Sequence, residues 1–227
     1  MRVEILFSGG KDSGLTAILL EPFFDEIELV TFAFSKDDAC QVARIGAEAL
    51  GHSHRIIVFD EGVLKWALSR LILDGYPNDA LDYVHARALE CLARECEYVA
   101  DGTRRDDRSP VMRRSDVQSL EDRLHVNYLR PLAGLGGRAI KAMASQYLEF
   151  EELSSDLHPA SDFEVGLRCA LSKRRGGLRA IKRIFPQNHT HTRVLRRKRD
   201  VQEIEGKEDQ ACQGLQSEPK GAQLGYN

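Results

Sequence analysis

The chain has no run of about eighteen apolar residues, so no segment has the length of a bilayer-spanning helix. Cysteine is scarce and odd in number: Cys40, Cys91, Cys96, Cys169 and Cys212 contain no Cys-x-x-Cys spacing, which indicates neither a disulfide framework nor a zinc ribbon. The first residues form a strand-like run at once, with no charged-then-apolar leader, and the expectation is a soluble, cytoplasmic protein without membrane association. One absence is local. Between Arg168 and Arg199 there is no Asp or Glu but there are 12 Lys or Arg; with a net charge of −3, the remainder carries −3 − 12 = −15. One segment is suited to meet an anion.

At 227 residues the chain suits one α/β domain with an appendage. Short β-rich runs at 3–7, 28–34, 55–59, 97–101 and 126–130 alternate with helical stretches, the pattern of a doubly wound open parallel sheet of about five strands. The first helix ends before Pro22, the second spans about 38–50 before Gly51, and the third about 62–73 before Gly75. A fourth follows Pro77-Asn78, with Leu81, Val84, Ala88, Cys91 and Leu92 on one face. After 150 the character changes. Residues 151–162 read as a polar linker and 163–183 as a basic helical region interrupted at Gly176-Gly177; a polar turn at 188–192 precedes a short extended piece at 193–195. The expected organisation is a domain over 1–150, a basic helical extension over 151–199 and a disordered tail over 200–227.

The most informative residues join the first strand to the first helix: Ser8-Gly9-Gly10-Lys11-Asp12-Ser13. Two glycines permit a sharp turn, and the first amides of the following helix lack intrahelical partners at the positive end of its dipole. Polyphosphate is the expected guest, with Ser8 and Ser13 as hydroxyl donors, Lys11 as cation and Asp12 as an oxygen ligand for accompanying Mg²⁺. The loop is too short before Lys11 for a Walker motif. The competing reading is a glycine turn with no ligand.

Ser-Gly-Gly-x-Asp-Ser after a first strand resembles the PP-loop of the N-type ATP pyrophosphatase superfamily, which has an adenine nucleotide alpha hydrolase-like fold. The resemblance implies cleavage of ATP between its α and β phosphates, adenylation of an acceptor and release of pyrophosphate. It also implies an adenine site at the end of the second strand, at Thr31, Phe32, Ala33 and Phe34.

A second cluster reads Ala100-Asp101-Gly102-Thr103-Arg104-Arg105-Asp106-Asp107. Its spacing from Gly102 to Asp106-Asp107 resembles Gly-His-x-x-Asp-Asp in the tRNA-lysidine branch, with Thr103 where that branch has His. Gly102 and Thr103 are candidate nucleotide contacts, while Asp106 and Asp107 join Asp12 as candidate Mg²⁺ ligands. The bland alternative pairs the carboxylates with neighbouring arginines. Arg130-Pro131-Leu132 resembles the fifth-strand end of tRNA-modifying members and places Arg130 at the active-site rim. Catalysis is expected to rest on Lys11, Asp12, Asp107 and Arg130.

Cys40 is a candidate nucleophile at a helix start, opposed by Asp37 and Asp38; His189 and His191 read as part of a polar turn. Two readings of the basic segment stay open: contact with tRNA through Arg168–Arg199, or docking on the chain's own acidic domain. An ATP pyrophosphatase acting in tRNA modification is preferred. The alternatives are an ammonia-dependent small-molecule amide or C–N ligase, with a separate ammonia or sulfur donor protein, and a non-catalytic nucleotide-binding module. A homodimer is compatible with all three.

Overall fold

The computed structural model describes residues 1–35, 40–154, 163–185 and 190–198. Five parallel strands, β1 (Arg2–Leu6), β2 (Glu26–Ala33), β3 (Ser53–Val58), β4 (Tyr98–Ala100) and β5 (Asn127–Leu129), form one sheet in the order β3-β2-β1-β4-β5. The five expected strands are thus present, and the fold is α/β. Its helices are α1 (Lys11–Leu20), α2 (Gln41–Leu50), α3 (Glu61–Asp74), α4 (Asn78–Leu92), α5 (Arg114–Leu124) and α6 (Gly137–Tyr147), followed by α7 (Phe163–Ser172) and α8 (Gly177–Ile184).

Strand alternation builds two cores. Val3, Ile5, Phe7, Ile27 and Leu29 pack with α1, α2 and α6, whereas Leu6, Val30, Phe32 and Val99 pack with α4 and α5. Helix α1 has both faces buried, as expected of a helix that is apolar nearly all round. Full burial of a residue such as Leu15 contributes about 1.5–3 kcal/mol. Helices α7 and α8 bury Leu167, Leu171, Ile184 and Phe185 against the α3–α4 pair.

The region expected to be a linker begins as strand β6 (Leu148–Ser154), which pairs antiparallel with β7 (Thr190–Arg197). The expected polar turn at 188–192 likewise contains the start of that last strand. This ribbon packs on α1: a side chain at Gly14 would meet Leu148 Cδ1 and Val194 Cγ2, each at 3.2 Å. The short extended piece expected at 193–195 lies within β7, whereas β6 escapes detection because its facing residues are charges; Glu149 and Glu151 pair with Arg196 and Arg193. Residues 155–162 and the expected disordered tail lie outside the described residues.

Candidate functional site

The sheet reverses its winding between β1 and β4, and ligands of open α/β sheets bind at such a point beyond the carboxyl ends of the strands. A cleft of about 220 Å³ opens there, lined by Ser8, Asp12 and Ser13 after β1, by Asp101, Gly102, Thr103 and Asp107 after β4, and by an apolar wall that includes Phe32 and Phe163.

The loop after β1 is tightly constrained. Gly9 has φ +80°, and a side chain there would lie 2.6 Å from Val42 O, so both conformation and space require glycine. The Ser8 and Ser13 hydroxyls stand 3.4 Å apart, and Ser13 Oγ donates to Gly10 O at 3.2 Å. The last strand reaches this loop from the far end of the chain: Lys11 N–H donates to Thr192 Oγ1 at 3.0 Å and Val194 N–H to Gly9 O at 2.9 Å. Lys11 is buried, its Nζ 2.9 Å from Asp12 Oδ1.

The β4 loop faces it. Gly102 approaches protein backbone: a side chain there would lie 2.8 Å from Ser13 N, so the glycine lets β4 close on the first turn of α1. Arg104 takes the centre of the acidic cluster. Its N–H, Nε and Nη2 all donate to the Asp107 carboxylate, at 2.7, 2.8 and 2.5 Å, and Nε lies 3.6 Å from Asp12 Oδ2. These partners hold the guanidinium pKa up despite burial, which works to lower it. Asp106 points to another task, accepting from Gly137 N–H at 2.9 Å at the start of α6. That bond, ahead of nearby Arg104, lowers its pKa. Asp106 and Asp107 thus make the arginine and backbone contacts of the bland alternative, while Asp107 also lines the cleft.

Of the expected adenine residues, Phe32 lines the cleft and stacks on Phe59, with ring centroids 4.7 Å apart. Thr31 turns into the core, where its hydroxyl donates to Phe7 O at 2.6 Å and approaches His54 Nε2 at 2.9 Å. Ala33 O accepts from Phe59 N–H at 2.9 Å within the sheet, and Phe34 packs against Phe59. Arg130 lies over the Tyr128 ring, 5.4 Å from its centroid. Cys40 is buried at the start of α2, and Asp37, Asp38 and His189 lie outside the described residues.

The sequence reading missed a buried polar chain under the cleft. Asp101 lies 2.7 Å from His85 Nε2, accepts from the Tyr128 hydroxyl, and accepts from Thr103 N–H and Oγ1 at 2.9 and 2.7 Å. Burial works to raise the Asp101 pKa, yet hydrogen bonding and charge from His85, with the bonds from Tyr128 and Thr103, hold it below the ordinary carboxylate value. Burial first, then the Asp101 charge, push the Tyr128 pKa far up. His85 shares the α4 face of Leu81, Val84 and Ala88, so periodicity alone marks it as a core position. Its signal lies in the long-range partner Asp101, a residue that the sequence quotes beside Gly102 without a role.

The Mg²⁺ expectation meets a mixed donor set. Among the described residues no three His, Cys, Asp or Glu side chains converge as a metal-binding group. Asp12 borders the cleft with Oδ1 2.9 Å from Lys11 Nζ and Oδ2 3.6 Å from Arg104 Nε, so it can reach an ion carried by substrate phosphates by exchanging one of these cationic partners.

Fold and cleft together define an α/β protein with a glycine-turned loop at the switch point of its sheet. The chain belongs to the family described as "Family of unknown function (DUF7411)", whose model matches residues 1–196. It is 38% identical over 201 residues to "Uncharacterized protein MJ0690" of Methanocaldococcus jannaschii, covering 88% of this chain and 98% of that protein. It is also similar to a crystal structure described as a "predicted subunit of tRNA methyltransferase" from the same organism, at 37% identity and TM-score 0.79, over 88% of this chain and 100% of the other. NMN synthetase from Francisella tularensis is a remote likeness, with 17% identity and TM-score 0.36 over 55% of this chain and 62% of the other, and carries no functional argument. No helix among the described residues is long and apolar enough to cross a membrane.

Proposed function

We propose that the protein is an ATP pyrophosphatase of the PP-loop type that binds Mg-ATP and adenylates a tRNA base. The observation that carries this reading is the Ser8–Ser13 loop at the sheet's switch point, where the paired Ser8 and Ser13 hydroxyls and Asp12, at the start of α1, line one cleft, with buried Lys11 held against Asp12 behind them. The β and γ phosphates bind at that loop, and the base lies along the apolar wall beside Phe32. Asp12 would hold the accompanying Mg²⁺, which would supply charge neutralisation, and Lys11, beside Asp12, would add its charge behind the phosphates. An acceptor oxygen attacks the α phosphorus, the bond to the bridging oxygen breaks and pyrophosphate leaves; a nitrogen or sulfur nucleophile then displaces AMP. Asp107 restrains Arg104 so that its guanidinium stands beside Asp12, aimed at anionic oxygens. Arg130 contributes at the rim.

The description of the crystal-structure relative as a predicted tRNA methyltransferase subunit supports a tRNA acceptor and assembly with a protein partner. One observation favours the small-molecule ligase instead: Arg193, Arg196 and Arg197 pair with Glu151, Glu149 and Glu21, so this part of the basic segment docks on its own chain. Calorimetric titration separates a nucleotide site from an empty turn. ATP is expected to bind with Mg²⁺, and Ser13→Ala to weaken it at least tenfold; absence of ATP binding contradicts the reading. Mass spectrometry of tRNA nucleosides from cells lacking the protein then identifies the acceptor, and an unchanged nucleoside profile moves the choice to the ligase.

A further inference from the structure

The structure divides the basic segment into two parts with different surroundings. Arg168 pairs with Glu164 at 2.6 Å and lies over the Phe185 ring, and the three β7 arginines meet carboxylates as described. Lys173, Arg174, Arg175, Arg179, Lys182 and Arg183 are instead all exposed, on the connection between α7 and α8 and on α8 itself. Among the described residues no ion pair engages Lys173, Arg174, Arg175, Arg179 or Arg183. The opposite side of the hairpin is anchored, because Leu167, Leu171, Ile184 and Phe185 are buried with α3 and α4.

We infer that this α7–α8 hairpin is an RNA-docking surface that grips the sugar-phosphate backbone of the substrate whose base enters the cleft. The inference rests on the proposed tRNA reading and names the surface that reading requires. Six cations on a fixed mount neutralise phosphates without ordering a flexible arm. The rest of the chain carries the compensating negative charge, so a polyanion is repelled elsewhere and approaches in one orientation. Phe163, at the start of α7, lines the cleft, and ten helical residues rise about 15 Å. RNA held by its backbone at the hairpin can therefore present a nearby nucleotide to the cleft. Leu178 is the one large apolar side chain exposed on α8, whereas an anionic membrane surface favours a broad apolar face beside the cations.

The test is tRNA binding by anisotropy at two salt concentrations, with ATP binding measured on the same proteins. Neutralising about six phosphates predicts a loss of affinity of roughly 300- to 1,800-fold between about 50 and 200 mM salt. Replacing all six cations by Gln should weaken tRNA binding at least 100-fold at the lower salt and flatten the dependence, with ATP affinity and melting temperature unchanged. Arg193→Gln, Arg196→Gln and Arg197→Gln together should leave tRNA affinity within about threefold of wild type. Two half-patch variants, at Lys173, Arg174 and Arg175 or at Arg179, Lys182 and Arg183, should each remove about half the salt dependence and serve if the sixfold variant fails to fold. Wild-type tRNA affinity in a folded patch variant overturns the inference while leaving the proposed reaction intact. No tRNA binding by a wild-type protein that binds ATP overturns both the inference and the tRNA acceptor. Tighter binding to phosphatidylserine vesicles than to tRNA overturns it in favour of a membrane surface.

Discussion

The backbone N–H of Lys11 donates to the hydroxyl of Thr192, 181 residues later, at 3.0 Å. The loop at the beginning of the chain is therefore completed by its last described strand. Thr192→Val keeps the shape but leaves that N–H without its partner, at a cost of about 1 kcal/mol or more, some 2–4 °C in melting temperature for a chain of this size. Bound phosphate restores an acceptor, so the ATP-induced rise in melting temperature should exceed that of wild type. An unchanged melting temperature with weaker ATP binding contradicts this account of the loop.

Asp107 and Arg104 make a second testable unit. Asp107→Ala removes the carboxylate that accepts three of the arginine's hydrogen bonds and frees Arg104 to close on Asp12, now 3.6 Å away. Turnover with Mg-ATP should fall at least tenfold, a little over 1.4 kcal/mol in barrier, while the fold persists. Equal turnover in wild type and variant makes this pair a surface turn alone.

Asp101 sets an acid limit on stability. Its folded pKa lies below the ordinary value of 3.8, so its contribution is fully present above that value and is lost as pH falls through the folded pKa. Asp101→Asn should melt lower than wild type near neutral pH, because His85 and Tyr128 lose a charged partner, yet show a shallower loss of stability below about pH 4. Thermal melts from pH 7 to pH 2.5 measure both limbs; parallel acid limbs contradict the assignment.

The sheet was legible because each strand has a compact β-rich run, and the Ser8–Ser13 loop because its chemistry is contiguous. Other features depend on distant partners. Helix α5 carries only a thin apolar stripe, Val117, Leu120 and Leu124, of which Leu120 alone is buried, and β6 meets β7 through Glu–Arg pairs that periodicity reads as solvated charge. Gly102 could be recognised as special, but not that it makes room for the backbone of Ser13. His85 looks apolar by position and becomes a site residue only when β4 brings Asp101 to it.

Product analysis with ATP labelled in its α phosphate tests the central claim most directly. Purified protein, Mg²⁺ and total tRNA, with a cell extract as source of the second substrate, should yield labelled AMP and an equal amount of pyrophosphate, and Ser13→Ala should abolish both. Formation of ADP and phosphate, equally in wild type and Ser13→Ala, would contradict ATP pyrophosphatase chemistry at this loop.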